Sequence, residues 1–407
     1  MTLSHKIAFN TFVQIAGKAL STTLGVLITI VLTRYLGPVG FGTFTFAIVF
    51  VTMFGTLADW GMTLITVREA SKNQKDANII IGNVLVLRLI FAAFAATVAI
   101  LVINFLPYPS EQKLLVSIAA AFLLALSIKT SFQIVFMIKL KMENWALSEL
   151  GANGLSIILI LFLVSYQASL PAIITALTIG HFFSAALAIL LGWRLLPLKL
   201  SLWTKYSRHL LVESVPMGAI LVLFTVYNRL DIIIISLIKG PEAVGLYGAA
   251  YRIYEVLIVI AAYFANSIFP LISNYAVTNR EKLREIFRKS YVVLFLLGVT
   301  VALINFIFAP LGIAIIAGPK FAASVLPLQI LSLALVVSYF NHLNGYTLIA
   351  LGKQWTSFYI AIFALVINLI LNIIFIPIFS YPAAAFITFI TESIVVLLSL
   401  SIIRKEI

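Results

Sequence analysis

Twelve stretches of roughly 20 or more residues, nearly unbroken in their apolar character, follow one another along this 407-residue chain. A run of that length, wound as a helix, matches the hydrocarbon thickness of a bilayer. The strands of a transmembrane barrel would alternate apolar and polar residues with period 2, and these runs do not. Their approximate extents are 9–36, 41–66, 79–106, 114–138, 146–166, 170–195, 210–238, 243–275, 290–317, 322–351, 355–379 and 382–403. Turn chemistry separates several of them, at Gly37-Pro38, Pro107-Tyr108-Pro109, Gly240-Pro241, Gly318-Pro319 and Tyr381-Pro382. The chain is 62% hydrophobic and only 10% charged, against about 25% charged residues in ordinary soluble domains. That leaves too little polar surface for a soluble enzyme or a nucleic-acid-binding module. The sequence predicts an all-α polytopic membrane protein with twelve transmembrane helices and no folded extramembrane domain.

The charges that remain are placed unevenly. Assigning the N-terminus, the even-numbered loops and the C-terminus to one side gives that side eighteen Lys and Arg residues and the other side four. Cytoplasmic loops carry the excess of basic residues, so both termini are expected in the cytoplasm, with the chain in the cell (cytoplasmic) membrane. The net charge of +13 then reads as basic loops against anionic membrane lipids, not as a nucleic-acid surface. The first apolar run lacks a small-residue cleavage site and is expected to be a retained span. There are no cysteines, and His5, His181, His209 and His342 show no metal-ligand spacing. No phosphate-binding Gly-rich loop, zinc-protease helix motif or nucleophile elbow occurs, so neither a cofactor, a metal nor a catalytic residue is expected.

An internal repeat divides the chain. The turn Arg34-Tyr35-Leu36-Gly37-Pro38-Val39-Gly40-Phe41-Gly42 is echoed 203 residues later, where Gly37, Pro38 and Gly42 correspond to Gly240, Pro241 and Gly245. The match is gapless and follows the first and the seventh span. Six spans per half is an even number, so the halves share one orientation and are related about the membrane normal, a transporter design with its substrate site at the interface of the halves. The expected division is an N-terminal bundle over 1–196, a cytoplasmic linker over 197–209 and a C-terminal bundle over 210–407.

Polar stripes run along the first spans of each half. Thr11, Gln14, Lys18, Thr22, Gly25, Thr29 and Thr33 share one face of the first span, and Gly42, Thr45, Thr52, Thr56, Asp59 and Thr63 one face of the second. Small residues at close helix contacts would explain Thr and Gly alone. Lys18 and Asp59, with Arg252 and Glu255 on the matching face of the second half, favour a water-filled cavity. Five basic residues fall within spans: Lys18, Arg88, Lys129, Arg229 and Arg252. Each costs about 2.5–3.5 kcal/mol at the bilayer centre, so each must face protein, water or headgroups. Asp59, Glu149 and Glu213 sit near span ends, while Asp231, Glu255 and Glu392 lie deeper. Arg252 and Glu255, three apart, can pair on one face; Arg229 and Asp231, two apart, must seek different neighbours. The functional reading of the five cations is an anion site, since Arg and Lys suit phosphate. For any one of them a private ion pair or a snorkelling side chain is the other reading.

The Tyr35–Gly42 turn and the stretch Asn228-Arg229-Leu230-Asp231, Gly240-Pro241, Val244-Gly245-Leu246-Tyr247 and Ala250-Tyr251-Arg252 together resemble the polysaccharide (O-antigen type) flippases of the multidrug/oligosaccharidyl-lipid/polysaccharide exporter superfamily. The resemblance covers essentially the whole chain. It implies two six-helix bundles working by alternating access and a polyprenyl-diphosphate-linked oligosaccharide as cargo, with other polysaccharide-assembly membrane proteins as partners. It also implies that Lys18, Arg88, Lys129, Arg229 and Arg252 meet the diphosphate, with Asp59, Asp231 and Glu255 as coupling or ion-pairing acids. A drug or metabolite antiporter of the same superfamily would favour cavity acids over bases. A membrane-embedded polysaccharide polymerase or ligase would need a sizeable outer loop, which the sequence lacks.

Overall fold

The structure is a computed structural model describing residues 3–202 and 205–407, and the side chains of 9–10, 12–202 and 206–407. Thr11 and His5, named above, lie outside the described side chains. The described residues form α-helices and one short 3-10 turn. The helices are α1 Leu3–Asp59, α2 Met62–Lys72, α3 Ala77–Phe105, α4 Ser110–Ala120, α5 Phe122–Ile138, α6 Met142–Ser165, α7 Leu170–Leu195, α8 Lys205–Thr278, α9 Arg280–Ile316, α10 Val325–Ala350, α11 Gln354–Phe379 and α12 Tyr381–Glu406. A bilayer core offers no water to backbone N–H and C=O groups, so a spanning segment must satisfy them internally, as a helix does. Buried hydroxyls follow the same rule: Thr29 donates to the Gly25 carbonyl at 2.9 Å and Thr33 to the Thr29 carbonyl at 2.8 Å.

Ten helical segments among the described residues are long and apolar enough to cross a membrane, where the sequence reading has twelve. The difference lies at the two Gly-Pro turns. The apolar segments Phe12–Lys72 and Tyr206–Thr278 run to 61 and 73 residues. A straight helix of 61 residues would be about 90 Å long, some three times the hydrocarbon core. Inside α1 and inside α8 one glycine takes a non-helical conformation, Gly37 (φ 64, ψ −177) and Gly240 (φ 80, ψ −174), and Phe12–Lys72 is interrupted again at Trp60-Gly61, ahead of the short α2. Read as two passes each, they restore the count of twelve. The near-identical dihedrals also carry the sequence repeat into the backbone.

The local cause is the dipeptide. Proline disfavours the helical region for the residue before it, and positive φ with extended ψ is open essentially to glycine. A Cβ at either position would meet nothing within 4 Å, so the penalty for adding one is purely conformational. Gly37→Ala and Gly240→Ala are each expected to lower stability by about 1–3 kcal/mol. Gly154→Ala, helical and also in open space, should raise it by roughly 0.5–1 kcal/mol. Thermal melting of the detergent-solubilised protein measures all three, and equal shifts at the three sites would refute the assignment.

Packing divides the chain into two compact units. Unit 1 comprises Met1–Tyr35 and Ala47–Thr225, and unit 2 comprises Leu36–Phe46 and Val226–Ile407. In unit 1 the Asn10 amide donates to the Leu140 carbonyl and its oxygen accepts from the Met142 N–H, both at 2.8 Å, which caps the start of α6. The first turns of α8 are tied to α3 by Asn83, which donates to Ser207 and to the Ser201 carbonyl at 2.9 Å. They are tied to α2 by the Arg68–Glu213 pair at 3.0 Å. In unit 2 the Asn344 amide donates to Ser399 and Asn372 to Asn368, both at 2.8 Å, interhelical and intrahelical polar contacts of the kind that hold membrane bundles together. There also the repeat meets itself. Gly42 lies so close to α8 that a Cβ would overlap the Pro241 carbonyl oxygen, and a Cβ on Gly245 would overlap the Pro38 carbonyl oxygen.

Candidate functional site

Unit 1 holds two of the five intramembrane cations in closed pairs. Arg88 on α3 is fully buried. Its guanidinium donates to Asp59, at the end of α1, and to Thr63 of α2 at 2.6 Å. Longer contacts of 3.4 Å reach Thr130 and Ser131 of α5. Lys129 of α5 is 4% exposed, bonded to Glu149 of α6 at 2.6 Å and seated 5.0 Å from the Trp145 ring. Lys18 is exposed on α1. The structure thus gives Arg88 and Lys129 one carboxylate each, as burial of a charge requires.

Beside the Arg88 clamp lies a cavity of about 350 Å³, lined by Thr52, Gly55, Thr56, Asp59, Thr63, Leu126, Thr130 and Gln133. Four members of the polar stripe on the second span therefore do line open space. On the first span the stripe is mixed: Gln14 and Lys18 are exposed, while Thr29 and Thr33 are buried, 7% and 1% exposed. Thr130 and Gln133 went unnoticed in the sequence. Their spacing of three, with Leu126 four before Thr130, places them on one face of an apolar helix, the same signal that marks the other stripes.

Unit 2 shares its charge differently. Glu255 receives both of the intramembrane cations named on α8, Arg229 at 2.7 Å and Arg252 at 3.4 Å. The Arg252–Glu255 contact is the pairing that their spacing allows. Arg229 also lies 6.0 Å from the Tyr251 ring. The two guanidiniums share that carboxylate, and the Arg252 side chain remains 43% exposed. Asp231, beside Arg229 in sequence, turns elsewhere and accepts from the Tyr247 hydroxyl and, at 2.8 Å, from the Ile232 N–H.

Glu392 of α12 is the acid whose surroundings the sequence did not reveal. It accepts from Tyr227 at 3.0 Å, Ser338 at 3.1 Å and Asn341 at 2.5 Å. The polar run around His342 thus stays inside an unbroken α10 and serves α12. His181 packs against Phe122, ring centroids 5.1 Å apart. Among the described residues no three His, Asp or Glu side chains gather as a metal site would require.

Comparison with known proteins agrees with this architecture. The model of the family described as polysaccharide biosynthesis protein matches residues 7–276, and the MatE model matches 216–374. A Haloferax volcanii chain bearing the flippase name AglR is 26% identical over 185 residues, 44% of this chain and 39% of its own. An Escherichia coli K12 chain bearing the name of an O-antigen transporter is 28% identical over 183 residues, 45% of this chain and 44% of its own. The matches thus span less than half the length of these curated relatives. Among solved structures, the lipid II flippase MurJ in an inward closed conformation superposes with a TM-score of 0.79 at 16% identity, covering 97% of this chain and 87% of that one, a likeness of fold. With about two thirds of its length matched by the family model, this multi-pass membrane chain belongs to the polysaccharide biosynthesis protein family.

Proposed function

We propose that the chain turns a polyprenyl-diphosphate-linked oligosaccharide from the inner to the outer leaflet of the cytoplasmic membrane by alternating access, with both termini in the cytoplasm. Family membership and the flippase and O-antigen transporter names of its relatives support this reading. The observation that carries it is the pair of arginines on α8, Arg229 and Arg252, gathered on Glu255 with the Arg252 side chain still 43% exposed. A diphosphate needs charge-assisted donors held away from bulk water, and guanidinium is the donor best shaped for it. Arg229, Arg252 and the exposed Lys18 are assigned to the headgroup. Arg88 and Lys129, closed onto Asp59 and Glu149, position those acids. Glu255 holds the two arginines in register, and Asp231 is the acid left for ion coupling. Lipid tails stay in the bilayer while the headgroup and sugars follow the polar path, and other polysaccharide-assembly proteins would supply and consume the cargo.

Reconstitution in liposomes with a fluorescent polyprenyl-diphosphate-sugar tests the assignment. Losing a hydrogen bond to a charged group is worth about 1.5–3 kcal/mol, so Arg229→Ala and Arg252→Ala are each expected to slow translocation roughly tenfold or more. Wild-type rates in both variants would sink the headgroup assignment, and an inactive wild-type protein the flippase reading itself.

A further inference from the structure

The cavity of unit 1 has a chemical bias of its own. Its hydroxyl protons are already committed. Thr52 donates to the Val49 carbonyl at 2.9 Å, Thr56 to the Met53 carbonyl at 2.8 Å and Thr130 to the Leu126 carbonyl at 2.9 Å. Thr63 donates to Asp59 Oδ1 at 3.0 Å. A hydroxyl that has given its proton still has lone pairs to offer, so the wall shows acceptors. Asp59 adds another: Oδ1 receives Arg88 and Thr63, while Oδ2 has no hydrogen bond among the described residues, and the side chain is 32% exposed. Gln133 makes no hydrogen bond among the described residues and contributes an acceptor and two donors.

The charge at this wall is balanced. Asp59 lies against Arg88, which is wholly enclosed behind it, so the cavity shows no free cation of its own. A diphosphate would meet the Asp59 carboxylate with no cation free to answer it, and the Gln133 amide is the one lining side chain here that the described hydrogen bonds leave with donors to give. A neutral ligand that pairs hydroxyl donors with apolar C–H faces suits it better, since Leu126, Gly55 and the threonine methyls make the rest of the lining apolar. The volume of about 350 Å³ lies at the small end of ligand sites. We propose that this cavity binds a neutral sugar ring through its hydroxyls, separately from the headgroup arginines of α8. In identifying that sugar with the glycan of a lipid-linked cargo, the proposal rests on the flippase reading above; the binding site does not depend on it.

The test is saturation-transfer NMR on the purified full-length protein in detergent, with glucose, galactose, rhamnose, N-acetylglucosamine and inorganic pyrophosphate as probes. At least one neutral sugar is expected to give a transfer signal. Thr56→Val and Gln133→Leu should weaken its binding roughly tenfold, by loss of the acceptors. Thr56→Ser, which keeps the oxygen, should retain it. Melting curves of the variants separate lost binding from lost folding, and displacement titrations on Thr56→Ser provide the folded reference. Absence of any sugar signal overturns the proposal. So does a sugar signal indifferent to Thr56→Val and Gln133→Leu, or a pyrophosphate signal abolished by them. Translocation of the fluorescent lipid-diphosphate-sugar with no sugar bound in this cavity would refute the site and leave the flippase reading intact. Sugar binding lost in the two variants, with no lipid translocated by the wild type, would do the reverse.

Discussion

Asp59→Ala is expected to destabilise the protein by about 3–5 kcal/mol, the loss typical of removing one partner from a buried ion pair. Arg88 is fully enclosed, and its guanidinium relies on Asp59 for countercharge. Without the carboxylate, Thr63, Thr130 and Ser131 supply hydrogen-bond acceptors but no charge. Asp59→Asn should fall between, keeping an oxygen for the hydrogen bond. The informative variant is the double substitution Asp59→Leu with Arg88→Leu. Replacing a buried pair by apolar residues of similar volume is often neutral or stabilising, so the double variant should recover most of what Asp59→Ala loses. Melting of the detergent-solubilised protein, followed by size exclusion, measures all of these. A double variant as unstable as the single one would show that Arg88 is held by packing and not by charge.

The second large effect is expected where the repeat meets itself. At Gly42 an added Cβ runs into the Pro241 carbonyl, and at Gly245 into the Pro38 carbonyl. The obstacle is backbone in both cases, so no side chain can rotate away and the two helix segments must part. Overpacking of this kind typically costs about 1–3 kcal/mol and sometimes more. Gly42→Ala and Gly245→Ala should each lie at or above the top of that range. Because either methyl forces the same separation, the two losses should combine to less than their sum, as substitutions sharing one contact do. Full additivity in the melting data would mean that the two glycines report separate contacts.

Much of the fold was legible because bilayer thickness imposes a length and glycine imposes a conformation. Apolar runs gave the spans, and Gly37-Pro38 with Gly240-Pro241 gave both the breaks and the repeat. The helix boundaries at Asn279, whose side chain accepts from the Lys282 N–H, and at Gly318, with φ 89, have equally local causes. Which charges would meet was less legible. The i,i+3 spacing was enough for Arg252 and Glu255, but Arg229 reaches the same carboxylate from across the Gly240 break. Arg88 with Asp59 and Lys129 with Glu149 join residues from different helices, and periodicity within one helix carries no information about which neighbour it will have. The threonine stripes show a further limit. A threonine that returns its proton to its own helix is satisfied there and can sit either against protein or beside open space. The same spacing therefore describes Thr52 and Thr56, which line a cavity, and Thr29 and Thr33, which are buried.

The residues Leu36–Phe46 pack with the later part of the chain, although the chain on both sides of them packs with the earlier part, and the first turns of α8 up to Thr225 complete the earlier part. Synthesis runs in one direction, so the early unit waits for residues made after the midpoint, while the late unit depends on a strip laid down near the start. The early unit can close as soon as Thr225 is made, whereas the strip reserved for the late unit has to wait in the lipid, apart from its own packing partners, until the rest of the chain follows.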